Sequence, residues 1–212
     1  MARKVDPAAQ RMREWLLRLL LCLLAGVGLS VYVSRPAWSG VGIAAVLMAG
    51  SLLSILPLGF LVAKMKASAR LTTVALAAGE AVFELARLGL LAWAGAGAAE
   101  AAWAGLWSAA LLAALLLAMM SLRRLLKPDE PGRAADSPGH VLAPRQLVVQ
   151  VGMIARDIGA CLLVVWSPWL VLATFATGTG SVLLREQPIG RTWVQTISGY
   201  VLLVVALVLW LR

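Results

Sequence analysis

Charge is scarce in this sequence: 14% of residues are charged and 61% are apolar. A soluble domain carries about 25% charged residues, so this chain cannot clothe a globular surface, and its apolar surplus must face lipid. Histidine is nearly absent. The single His140 argues against the clustered imidazoles of haem or di-metal membrane enzymes. The two cysteines, Cys22 and Cys161, lie in separate apolar runs without CxxC spacing. That argues against a disulfide framework or a metal site and predicts buried thiols used as small apolar side chains. There is no GxSxG, HExxH or Walker motif, and no paired acidic motif for metal-dependent headgroup chemistry. The reading is therefore a protein that is not an enzyme and needs no cofactor. Acidic residues number 10 against 19 basic ones, a net charge of +9. No basic stretch is interleaved with aromatics outside the apolar runs, so nucleic acid is not the expected partner. The excess instead fits cytoplasmic loops beside anionic headgroups.

What is present is a series of apolar runs near the 20 residues that cross a bilayer. They predict an all-α, polytopic transmembrane helical bundle of about six spans. Residues 1–122 form a four-span region with spans at about 15–34, 41–63, 72–94 and 101–122. Residues 123–146, charged and rich in Pro and Gly, read as a flexible cytoplasmic linker. Residues 147–212 form a two-span region: an interfacial helix over about 147–155, a span over 158–184 broken by Pro168 and by Gly178-Thr179-Gly180, and a last span over 194–211. The charged start and first apolar run read as an uncleaved span rather than a signal peptide, because no A-x-A-like site follows.

With six spans and both termini cytoplasmic, Arg35, Arg185 and Arg191 fall outside, Arg87 falls within the third span, and every other basic residue falls inside. This is the bias of a bacterial-type inner membrane protein. Trp15, Trp38, Trp93, Trp103, Trp193 and Trp210 fall near span ends, where indole is favoured. Trp107, Trp166 and Trp169 fall deeper and are expected to pack between helices.

The chemistry-bearing residues concentrate in the third run. Glu80, Glu84 and Arg87 are spaced by four and three, which places them on one helix face. Arg87 can pair with Glu84, leaving Glu80 to find a basic group on another helix, with Arg156 a candidate. Three readings stay open. The helix could lie on the membrane surface with its charges in water. The charges could be a structural ion pair, or they could be an ion or proton site. Arg156-Asp157 reads as a solvated pair opening the fifth span, and Arg18 as an arginine that snorkels to the near headgroups.

The stretches RPAWSGVGIAAVLMAGSLLSILPLGFL and LAAGEAVFELARLGLL carry a likeness. With the basic start, residues 11–122 resemble the four-span ATP synthase protein I family, whose second span ends in Leu-Pro-Asn and whose third carries Gly-Glu-x-x-Lys. Leu56-Pro57 and Gly79-Glu80 match; Leu58 stands at the Asn position and Phe83 at the Lys position. Residues 123–212 have no counterpart. The resemblance implies a non-catalytic accessory or assembly role beside a larger membrane complex, with other membrane subunits and the lipid bilayer as partners. The alternative is a small ion or solute transporter or channel using Glu80 and Glu84.

Overall fold

The computed structural model describes residues 7–32, 38–50, 69–126, 144–183 and 188–212. They are helical almost throughout: α1 (Pro7–Tyr32), α2 (Trp38–Gly50), α3 (Ala69–Trp93), α4 (Ala98–Leu126), α5 (Pro144–Trp166), α6 (Val171–Leu183) and α7 (Pro188–Trp210). Four stretches are long and apolar enough to cross a membrane: Gln10–Val31, Ala98–Leu122, Pro144–Trp166 and Trp193–Trp210. The expected all-α membrane bundle is thus present in its helices. The second expected span is described only as far as Gly50, so Pro57 lies outside the described residues, as does the linker from 127 to 143.

Local sequence sets the helix ends. Pro7, Pro144 and Pro188 each open a helix, where a missing N–H is no loss and φ is already helical. Pro168 stops α5: Ser167 before it is extended at φ −150° and ψ 120°, and one 3-10 turn, Pro168–Leu170, leads into α6. The expected break at Pro168 is therefore seen. Gly178-Thr179-Gly180, expected as a second break, is helical inside α6. The α3–α4 turn is closed by Gly95 at φ +58°. Gly95 N–H donates to the Ala92 carbonyl at 3.1 Å and Ala96 N–H to Leu91 at 3.0 Å, the paired bonds of a Schellman cap. Glu100 then accepts the Gly97 N–H at 3.0 Å to start α4.

Cross-helix contacts fix the direction of each helix. α5 and α7 run parallel: Arg145 lies over Trp193, Gly152 meets Thr196, Gly159 meets Leu202 and Leu203, and Trp166 meets Trp210. Parallel neighbours need a return path, and α6 supplies it. Thr174 of α6 bonds Glu84 of α3 while Gly178 lies against Glu80, so α6 is antiparallel to α3. α3 in turn runs with α5, since Glu80 pairs with Arg156 and Arg87 approaches Asp157. α1 also runs with α5, as Arg18 bonds Gln150 low in α5 while Gly26 faces Trp103 and Leu106 beside the upper turns. Consequently Arg18 and Trp210 mark opposite ends of the bundle. The continuous α5 corrects the expected interfacial helix over 147–155, which is instead the first half of this apolar helix.

One end collects tryptophan. Trp38, Trp93 and Trp169 are exposed there, and Trp166 packs edge-on against Trp210 at 5.4 Å between centroids. Trp166 and Trp169, expected deep between helices, therefore belong to the rim. Trp103, expected at a span end, is instead 4% exposed and packs in the core with Cys22 and Leu106. Both cysteines are free and buried, as expected.

Backbones meet where side chains vanish. A Cβ on Gly105 of α4 would come within 2.5 Å of the Asp157 carbonyl, and one on Gly159 of α5 within 2.6 Å of Leu203 N. Close approach of small residues drives helix association where lipid removes the hydrophobic incentive. Gly159→Val is expected to lower the unfolding temperature in detergent by an amount equivalent to about 1–3 kcal/mol. Gly89→Ala on the open face of α3, where nothing lies within 4 Å, should leave it unchanged or slightly higher.

Candidate functional site

The face of α3 that carries Glu80, Glu84 and Arg87 is turned into the bundle, toward α5 and α6. Glu84 and Arg87 are each 1% exposed, so α3 does not hold these charges out to water along a surface. The expected spacing argument holds: Arg87 Nη1 donates to both Glu84 carboxylate oxygens at 2.7 Å. Glu80 pairs with Arg156 Nη2, the partner the sequence offered. The same nitrogen stands 3.9 Å from Glu84 Oε1, and Arg87 Nη2 stands 3.7 Å from Asp157 Oδ1. All five residues singled out in the sequence thus meet in one cluster.

Its depth differs from expectation. Arg156-Asp157 does not open a helix; it lies in the middle of α5, about 18 Å from Pro144 and about 15 Å from Trp166 at 1.5 Å per residue. The reason is the helix start at Pro144, upstream of the expected one. Unpaired, five ionised groups at such a depth would cost more than about 12 kcal/mol at 2.5–3.5 kcal/mol each. Mutual pairing is therefore a condition for the helices to pack at all.

Residues that sequence reasoning passed over complete the cluster. Thr174 Oγ1 donates to Glu84 Oε2 at 2.9 Å. Gly178, one turn on, has no side chain, and a Cβ there would collide with both Glu80 and Arg156. The i, i+4 spacing of Thr174 and Gly178 on a small-residue face was the available signal. Phe83, at the position where the resembled family has lysine, stacks its ring 4.8 Å from the Arg87 guanidinium. A lysine would set a second cation there; the phenyl ring supplies a favourable face.

Arg18 also departs from expectation. It is 4% exposed and turned inward rather than snorkelling. Its Nε donates to Gln150 Oε1 at 2.7 Å, its Nη2 approaches Met153 Sδ at 2.7 Å, and its guanidinium lies 4.3 Å from the Trp15 ring centroid. These partners are neutral, and the acidic group that acts on it most strongly at longer range is Asp157. Arg18, Arg87 and Arg156 thus stand against the carboxyl groups of Glu80, Glu84 and Asp157. No group of three or more His, Cys, Asp or Glu among the described residues could hold a metal ion.

Removing one member of a buried pair strands the other and costs about 3–5 kcal/mol. Arg87→Met should destabilise the protein by that order in a thermal melt in detergent. Adding Glu84→Gln to it should recover at least half the loss. Equal melting of single and double variants would show that Glu84 and Arg87 are not coupled.

No protein-family model, curated protein or solved structure matches this chain.

Proposed function

We propose that this chain is a small transport protein of a bacterial-type inner membrane, moving an ion or small solute through exchange of partners in the Glu80–Glu84–Arg87–Arg156–Asp157 cluster. One observation carries this reading. Each arginine lies between two carboxylates, bonded to one and just short of the other. Arg87 is 2.7 Å from Glu84 and 3.7 Å from Asp157, while Arg156 is joined to Glu80 and 3.9 Å from Glu84. The partners come from α3 and α5, with α6 bonded to the shared Glu84. A change of pairing therefore changes how these helices hold one another, which is the two-state element that transport needs.

An accessory role beside a larger complex, the reading that sparse polar groups and the resemblance to ATP synthase protein I suggest, predicts instead that the purified chain passes no ion. The purified chain in proteoliposomes, challenged with proton, sodium, potassium and chloride gradients, should pass at least one ion. Glu80→Gln, which frees Arg156, should cut that flux at least tenfold while the protein still elutes as a folded species. Undiminished flux in this variant would remove Glu80 from the site.

The placement in the membrane belongs to the same proposal. If α5 and α7 both cross, their parallel course makes α6 a crossing as well. The chain then crosses once for each of α1 to α7, one more than the sequence expectation of six. Its N-terminus is cytoplasmic and its C-terminus external. The basic residues fit this arrangement. Among the described residues, Arg191, external in the six-span scheme, joins Arg11, Arg13, Arg70, Arg123, Arg124 and Arg145 at the cytoplasmic end, and Arg212 is left outside. A phosphatase reporter, active only outside the cytoplasm, should be active when fused after Arg212. A green fluorescent reporter should glow when fused before Met1. A silent phosphatase at the C-terminus would return the count to an even number.

A further inference from the structure

The three carboxylates of the cluster are unequally served. Glu84 receives Arg87 Nη1 on both oxygens and Thr174 Oγ1 on one. Glu80 receives Arg156. Asp157 receives no hydrogen bond from the described residues; the cationic nitrogen that approaches it is Arg87 Nη2 at 3.7 Å, too far for one. Yet it lies at mid-helix in an apolar bundle, where an ionised carboxylate without donors costs far more than a neutral carboxylic acid. Its side chain is 20% exposed, against 2% for Arg87 and 1% for Glu84. Of the Arg87–Glu84–Asp157 trio, Asp157 is the member that open space reaches. Arg87 meanwhile holds donor capacity in reserve, since its buried Nε has no partner.

We propose, resting on the transport reading above, that the transported ion is the proton, carried on the side-chain carboxyl of Asp157, and that Arg87 is the positioning residue that follows its arrival and departure.

With the proton on Asp157, the acid is neutral and Arg87 stays fully on Glu84, the arrangement described. When the proton leaves, the carboxylate draws Arg87 Nη2 across the remaining gap. Glu84 then keeps Thr174 and takes up Arg156 from 3.9 Å. The proton is gained from one side and lost to the other, with no bond made or broken elsewhere. The groups around Asp157 are consistent with this cycle. The charged and titratable groups that act on it electrostatically are Arg18 and Cys22 from α1, Arg87 and Glu84 from α3, and Arg156 and Cys161 from α5. α4 presents the glycine face at Gly105 to its backbone. Three arginines make the ionised form attainable, while the missing hydrogen bonds keep the protonated form within reach.

Dicyclohexylcarbodiimide adds to protonated carboxyl groups in apolar surroundings and leaves an acylurea that peptide mass spectrometry locates. In the full-length protein in liposomes, the label should fall on Asp157, with little on Glu80 or Glu84, and should fade as pH rises. Arg87→Lys, which reaches less far, should keep labelling alive to higher pH, a shift that loss of packing alone would not produce. Asp157→Asn should abolish proton flux driven by a potassium diffusion potential, and Asp157→Glu should retain a measurable fraction of it. Label confined to Glu80 or Glu84, or proton flux that survives Asp157→Asn, overturns the assignment and leaves the transport reading in place. Wild-type vesicles that pass no ion overturn both. Flux of another cation with no proton movement overturns the choice of the proton alone.

Discussion

Everything in this bundle answers to the need to neutralise charge far from water. Glu84 is where that need is met most fully, and three helices are organised around it. Arg87 shares its helix at i, i+3, Thr174 reaches it from α6, and Arg156 stands beyond Glu80 on α5. Take the carboxylate away and Arg87, 1% exposed, has only Asp157 at 3.7 Å to balance it. Arg87 lies about 9 Å along α3 from its end at Trp93, and its side chain is held inward on Glu84 rather than turned toward that end. The cluster is therefore a packing instruction as well as a site: α3, α5 and α6 must assemble in one register or not at all.

The glycine contacts serve the same end. Ionic groups can meet only if the backbones carrying them approach closely, and Gly105, Gly152, Gly159 and Gly178 remove the Cβ atoms that would hold the helices apart. Gly178 is the sharpest case, since it vacates the volume that Glu80 and Arg156 occupy. Close backbone approach and charge pairing are usually treated as alternative ways to associate helices in lipid. In this protein one is the precondition of the other.

Much of the cluster was legible in the sequence. Spacings of four and three put Glu80, Glu84 and Arg87 on one face, and counting charges left Glu80 in want of a base that Arg156 supplies. What was not legible followed from tertiary direction. Nothing local in Arg156-Asp157 distinguishes the start of a span from its middle; only the helix start at Pro144 does. Arg18 looked like a snorkelling residue because its neighbours are apolar, yet Gln150, far away in sequence, turns it inward. The tryptophans show the same limit. Position along a run predicted a rim for Trp38 and Trp93, but Trp103 fell to the core because Gly26 and Gly40 open room for it on neighbouring helices. The direction of α6 is likewise absent from its local sequence: its apolar run continues that of α5 past Pro168, and its return course is set by its contacts with α3 and by the parallel course of α5 and α7.

A cluster built purely for stability would be expected to match each base with one acid at hydrogen-bond distance. The arrangement at Arg87 differs in an instructive way. At an effective dielectric of about 20, the Coulomb attraction between unit charges at 2.7 Å exceeds that at 3.7 Å by only about 1.7 kcal/mol. Moving Arg87 from one carboxylate toward the other thus trades near-equal terms. On the transport proposal, a proton on or off Asp157 changes a term of about 4.5 kcal/mol at the same dielectric, larger than that difference and enough to decide the pairing. On the transport proposal, the close helix contacts at the glycines would convert that choice into a displacement of whole helices, because packed backbones shift as units.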